Sequence, residues 1–273
     1  AVFGVQKSFL RTELERTRTE LTELAAEGAQ KEETPAAAMN ATPSFPYQEL
    51  YPDLYVTPPT QSLRMENTVY LTFDDGPSDV TPGVLDTLRE NDVKATFFVV
   101  GSALTAEKNQ ETLRRMAAEG HTIGIHTYTH DYDSIYASIE AYLEDFNRTF
   151  QRIHAITGDY PTVFRFPGGS INGYTRPFYQ PLIAELSRRG FAYFDWNVSS
   201  EDAAGAETAA AITHNTVAGV LDCYRAVVLL HDSGTKGATA EALPGIVTTL
   251  RERGYQFAPL TGDVRPVIFN YED

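Results

Sequence analysis

After Asn67 the chain alternates between two kinds of segment, and this alternation constrains the fold more than any other feature. Short runs rich in β-branched and aromatic residues read as strands: TVYLTF (68–73), KATFFVV (94–100), HTIGIH (121–126), TVFRF (162–166), FAYFDW (191–196), RAVVLL (225–230) and YQFAPL (255–260). Between them lie helix-like stretches such as PGVLDTLREN, EKNQETLRRMAAEG and LPGIVTTLRERG. Strands separated by helices pair in parallel, with the helices covering the sheet. Seven such units, without a mononucleotide-binding half, predict an α/β fold, an irregular (β/α)7–8 barrel. In such a barrel the C-terminal strand ends converge on one mouth, where reactive side chains gather.

Composition narrows the partners. The 273 residues, 42% of them hydrophobic, can build one large core, as α/β barrels of ~200–250 residues do. A net charge of −15 argues against nucleic acid and anionic lipid surfaces and suits neutral or cationic substrates. The single cysteine, Cys223, excludes an internal disulfide and a cysteine-based zinc cluster. Placed just before an apolar run, it reads as a buried, inert thiol. No apolar run reaches the ~18 residues of a membrane span, and no signal-peptide pattern is visible. Membrane attachment is therefore expected only through a segment upstream of this sequence.

Three regions are expected. Residues 1–29 read as a helix, since Leu10, Leu14, Thr17, Leu21 and Leu24 form a two-heptad seam and Gly28 suits its end. That seam gives self-association through a short coiled coil, or a helix lying on the domain or projecting from it. Residues 30–66 read as a polar, proline-containing linker leading into an aromatic arm, FPYQELYPDLYVTPPT, that packs on the domain C-terminal to it. Residues 67–273 read as that main domain.

Five short stretches carry the chemistry. LTFDDGP places Asp74 and Asp75 side by side at the end of the first strand. In a strand such neighbours face opposite sides, and Asp, Gly and Pro also suit a plain turn. HTYTH spaces His126 and His130 four apart, on one helical face or one side of a turn, where they can share a metal ion or serve as capping and core histidines. RFPGGS places Arg165 before a Pro-Gly turn. DWNVSSEDA holds the only tryptophan, Trp196, as readily core as site. LLHDS sets His231 directly after a buried run. Each stretch has a bland reading as a turn or a core residue. All five fall at the C-terminal end of a predicted strand, and one shared site explains that better than five coincidences.

In this order the motifs resemble the polysaccharide deacetylase family, the NodB-homology carbohydrate esterases, over about residues 67–260. The phrases TFDDGPS and ATFFVVG look most like the peptidoglycan N-acetylglucosamine deacetylases of Gram-positive bacteria. The resemblance implies that Asp74 is the catalytic base and that Asp75, His126 and His130 bind one divalent metal. It further implies that Arg165 pairs with and orients the base. His231 becomes the acid for the leaving amine, and Asp202 its carboxylate partner. Gly168 would offer a backbone N–H to the oxyanion, and Leu229 and Trp196 would line the substrate pocket. Two departures stand out. Gly168 occupies a position where the family usually has an aromatic, so the groove wall is expected to lose a ring. Ala203 follows Asp202 where a tryptophan is common, so another residue must close the acetyl pocket.

The expected activity is removal of N-acetyl groups from N-acetylglucosamine in cell-wall peptidoglycan, outside the cytoplasm, at the surface of a bacterium or secreted from it. A chitin-oligosaccharide deacetylase and an acetylxylan esterase are the neighbouring alternatives. A non-catalytic glycan-binding module is the alternative of another class, and the intact motif set speaks against it. Zinc suits two histidines and a carboxylate best, with cobalt, nickel or manganese able to occupy the same ligands.

Overall fold

A computed structural model of the chain describes residues 45–270. The helix expected over residues 1–29 and the linker up to residue 44 lie outside them. Eight strands follow in chain order: β1 (Thr68–Asp74), β2 (Thr96–Val99), β3 (Thr122–Ile125), β4 (Val163–Phe164), β5 (Ala192–Tyr193), β6 (Val198–Ser199), β7 (Arg225–His231) and β8 (Gln256–Phe257). The helices are α1 (Thr81–Glu90), α2 (Glu107–Ala118), α3 (Tyr132–Ile135), α4 (Ile139–Thr157), α5 (Tyr179–Arg188), α6 (Ala209–Leu221) and α7 (Gly237–Glu252).

Every strand pairing is parallel, in the order β5-β4-β3-β2-β1-β7-β6, with β8 beside the start of β1. The alternation of strands and helices thus forms the α/β sheet the sequence predicts. The sheet curls without closing, since β5 and β6 do not pair among the described residues. β6 had no strand-like run of its own to announce it.

Period-two alternation sorts the side chains. On β1, Val69, Leu71 and Phe73 join the large core between sheet and helices, whereas Tyr70 joins a smaller cluster with Phe98, Phe194 and Val227. All seven residues of β1 are buried, as expected of a strand covered on both faces. On the smaller-cluster side, Tyr70 is followed by Thr72 and then Asp74, so this row turns from aromatic to polar toward the C-terminal end.

The aromatic arm packs against this body. Tyr47 and Leu54 enter the large core, and Arg189 donates to the carbonyls of Tyr47, Leu50, Tyr51 and Leu54 at 2.9–3.4 Å. Gly190 (φ 93°) permits the approach, because a Cβ there would sit 2.1 Å from the Val56 carbonyl oxygen.

Candidate active site

Asp74 is the last residue of β1 and is almost wholly buried. Asp75 lies beyond the strand in the left-handed region (φ 73°), so the alternation stops there. The expectation that the two carboxylates face opposite sides is therefore corrected. Asp74 Oδ2 and Asp75 Oδ1 approach the same nitrogen, His126 Nε2, at 3.7 and 3.5 Å. The following glycine is required by close approach: a Cβ on Gly76 would meet the Asp232 carboxylate at 2.2 Å.

His126 follows β3 directly, and His130 ends a turn rather than a helical face, since α3 begins only at Tyr132. Thr127 (φ 67°) and His130 (φ 55°) are also left-handed. For a side chain larger than glycine this conformation costs about 1–3 kcal/mol per residue and persists only where the surroundings impose it. Asp145, from α4, does so here. Its carboxylate accepts the N–H of Tyr128, the N–H of Thr129 at 3.1 Å and the Thr129 hydroxyl at 2.7 Å. His130 Nε2 then lies 3.3 Å from Asp75 Oδ1.

These residues fit a divalent cation. His126 Nδ1 sits 2.9 Å from the Arg165 carbonyl oxygen, which can only accept, so Nδ1 carries the proton. Burial lowers the His126 pKa despite the nearby Asp74 and Asp75 charges. A neutral ring with hydrogen on Nδ1 presents a lone pair from Nε2. Asp75 Oδ1 is buried and has no hydrogen-bond partner, and one donor atom each from Asp75, His126 and His130 lie within 4.8 Å of one another. Acceptor facing acceptor is unfavourable until a cation joins them.

Arg165, just after β4, is fully buried. Its Nη1 donates to Asp74 Oδ1 at 2.8 Å and to Thr72 Oγ1 at 2.7 Å, while Nε and Nη2 donate to the carbonyls of Phe194 and Asp195. The Phe98 ring lies 4.4 Å from the guanidinium carbon, and the Trp196 ring 5.7 Å. Trp196 also packs edge-on against Phe269 at 4.8 Å, so it belongs to the wall around the arginine.

On the other side of β1, Asp74 is the register partner of His231 on β7. Adjacent strands lie ~4.8 Å apart, so the two face the mouth as lateral neighbours. His231 Nδ1 meets Asp202 Oδ1 at 2.7 Å, and Asp202 Oδ2 accepts the His231 N–H and the Thr239 hydroxyl, both at 2.8 Å. Burial works against the charged ring, but the hydrogen bond it donates to Asp202 and the charge of Asp74 outweigh it and raise the His231 pKa. Leu229, on the same side of β7 as His231, is half-buried.

The RFPGGS turn supplies the remaining rim. Gly168 (φ 75°) and Gly169 (φ 84°) are both left-handed, and the Gly168 N–H has no hydrogen-bond partner among the described residues. The expectation that the groove loses a ring here is corrected. A Cβ on Gly168 would lie 2.9 Å from the Tyr132 hydroxyl, so a ring from α3 fills the space beside it. Tyr132 also stacks edge-on with His130 at 5.5 Å and with Tyr174 at 5.3 Å.

Comparison with known proteins decides the family. The polysaccharide deacetylase family model matches residues 63–182. A peptidoglycan N-acetylglucosamine deacetylase of Bacillus cereus is 32% identical over 203 residues, 71% of this chain and 69% of that protein. The chain belongs to the polysaccharide deacetylase family. The peptidoglycan N-acetylglucosamine deacetylase PgdA of Listeria monocytogenes is 34% identical over 210 residues, which span 77% of this chain but 41% of PgdA. The catalytic domain of a peptidoglycan N-acetylglucosamine deacetylase from Eubacterium rectale superposes with a TM-score of 0.73 at 34% identity, covering 78% of this chain and 97% of that one.

In this polysaccharide deacetylase, three carboxylates escaped the sequence reading. Asp145 braces the histidine turn from 16 and 17 residues away. Its signal was present, an acid among Tyr142, Phe146 and Thr149 on the buried face of a helix. Asp195 accepts from the Ser170 N–H (2.8 Å), the Ser170 hydroxyl (2.6 Å) and the Phe269 N–H (2.8 Å), tying the RFPGGS turn to the C-terminal segment. Asp232 is fully buried with one oxygen on the Thr81 hydroxyl at 2.6 Å, and burial followed by the Asp75 and Asp74 charges pushes its pKa up to about 7.

Proposed function

We propose that this polysaccharide deacetylase removes acetyl groups from N-acetylglucosamine residues of peptidoglycan, outside the cytoplasm, using one divalent cation, zinc by preference. One observation carries the reading: a carboxylate–bis-imidazole cluster lies beside an Arg165-bound Asp74, whose register partner on the adjacent strand is an Asp202-bound His231. The relatives' names supply the glycan, and the donor set supports zinc.

Asp75, His126 and His130 would hold the cation, whose Lewis acidity serves the acetyl carbonyl and the attacking water. Arg165 occupies Asp74 Oδ1 and fixes the carboxylate's orientation. Asp74 Oδ2 then takes the proton from the attacking water as general base. The free N–H of Gly168 donates to the oxygen that becomes negative as the carbonyl turns tetrahedral. Asp202 holds His231 by Nδ1, leaving Nε2 to deliver a proton to the departing amine. Leu229 and Trp196 provide apolar surface beside these groups.

The expected test result is loss of one acetyl group per modified residue when purified peptidoglycan is digested and its fragments weighed. Chelation should abolish this activity and zinc should restore it. Undiminished turnover in excess chelator would overturn the reading. Among the described residues no helix is long and apolar enough to cross a membrane. Attachment through a segment upstream of this sequence remains part of the proposal.

A further inference from the structure

The face opposite the mouth carries a cluster of cations that deacetylation does not use. Arg64, Arg225 and Arg265 line one cavity of about 540 Å³, together with Asn197, Asp222 and Cys223. Arg225 opens β7, and His231 closes it six residues later, so this cavity lies ~20 Å from the mouth. The cluster is built by the chain. The backbone of Leu63 pairs with the segment around Val264, through Leu63 N–H to Asp263 and Arg265 N–H to Leu63, which brings Arg64 and Arg265 side by side. Arg225 is held beside this segment by donating to the carbonyls of Arg265 and Pro266.

None of the three arginines makes an ion pair among the described residues. Burial lowers the Arg225 pKa, and although Tyr70 acts the other way, the charges of Arg265 and Arg64 lower it further. Like charges are thus gathered without an ion-pair partner among the described residues, in a chain whose net charge is −15. Against the one carboxylate of Asp222, three guanidiniums leave a surplus of two positive charges. Guanidinium forks match phosphate oxygens two at a time, and a phosphate monoester carries close to two negative charges near neutral pH.

We infer that this cavity is a binding site for a phosphate monoester, separate from the deacetylase centre. The volume admits a sugar or polyol attached to the phosphate as well as the phosphate itself.

Cys223, expected to be buried and inert, is half-buried and lines the cavity, and it is the chain's only cysteine. Its alkylation therefore reports on this cavity alone. With the intact chain at slightly alkaline pH and constant ionic strength, inorganic phosphate should slow iodoacetamide labelling of Cys223 saturably, and acetate should not. In an Arg64→Gln/Arg265→Gln double variant the half-saturating phosphate concentration should rise by about tenfold or more, since charge-assisted hydrogen bonds are removed. Both side chains are exposed and outside the mouth, so melting temperature and deacetylation should stay at parent values. Vesicles of phosphatidylcholine with phosphatidic acid distinguish a lipid phosphate from a soluble one. Co-sedimentation that the double variant loses would assign the site to a lipid headgroup. A saturable phosphate effect without co-sedimentation would assign it to a soluble ester. Unchanged labelling in phosphate, or equal phosphate response in parent and double variant, would overturn the inference while leaving the deacetylase reading untouched.

Discussion

Arg165 and Arg189 are both wholly buried, and each faces one carboxylate while its remaining donors serve carbonyl or hydroxyl oxygens. The difference lies in the partner acid. Glu185 is saturated: Oε1 receives Arg189 at 2.7 Å, and both oxygens receive Arg188 at 2.8 Å. Asp74 is half engaged, with Oδ1 on Arg165 and Oδ2 left toward His126 at 3.7 Å. A buried ion pair whose acid is fully occupied holds a fold together, here by stitching the arm to α5. One whose acid keeps a free oxygen can also take a proton.

The largest effect expected from breaking this contrast is Asp74→Asn. Loss of a general base costs ~10²–10⁴-fold in turnover. The variant should still bind its cation, whereas Asp75→Asn should bind it more weakly, and metal analysis beside deacetylation rates checks both. Equal loss of cation in the two variants would contradict the division of roles.

Next comes Arg189→Met, the matching change in the other pair. Removing one partner of a buried pair costs ~3–5 kcal/mol, and because Arg188 still serves Glu185 the lower end is expected. For a domain of this size that lowers the melting temperature by roughly 6–12 °C. Turnover at moderate temperature should remain near the parent value. A large loss of kcat in a folded Arg189→Met protein would erase the contrast.

Asp202→Asn sharpens the comparison through pH. In the proposed mechanism His231 is protonated when the amine leaves, and its pKa is raised in the folded protein, so activity is expected to fall as pH rises through that value. Without the Asp202 charge the imidazolium is less favoured, and the alkaline limb of kcat/KM should move to lower pH. A pH–rate profile for parent and variant checks this, and an unmoved limb would point to another proton donor.

The smallest effect is Gly168→Ala. A Cβ at φ 75°, 2.9 Å from the Tyr132 hydroxyl, should destabilise by ~1–2 kcal/mol. Tyr132→Phe in the same chain should recover part of that loss, because the crowding atom is gone. Denaturant unfolding of the two single variants and the double variant reads the coupling directly.

The two arginines also differ in what a sequence can disclose. Arg165 stands out because it follows a strand and precedes Pro-Gly-Gly, so its neighbours in the chain announce the position. Arg189, in SRRGF, looks like any helix-ending arginine, since its oxygen partners at Tyr47–Leu54 lie 135–142 residues away. The same holds within the mouth. Strand ends place Asp74, His126, Arg165 and His231 by local pattern alone. The turn that carries left-handed Thr127 and His130 is braced by Asp145 from a separate helix, a partner that the HTYTH stretch does not reveal. The Tyr132 ring beside Gly168 is likewise legible only once two distant turns are brought together.

The open ends of the sheet carry a consequence for colloidal behaviour. A sheet that does not close keeps two edges, and an exposed edge is a template for strand addition by another chain. Here both edges, β5 and β6, are two residues long. Just past β5, the Asp195 N–H on the free edge is taken by the Val267 carbonyl. A copy of the chain approaching edge-on therefore finds only a short template at either edge, and at β5 one that the C-terminal segment already covers. The C-terminal segment that covers β5 also reaches the RFPGGS turn through Phe269 and Asp195. Trimming it would therefore uncover an edge and loosen the RFPGGS turn in the same cut.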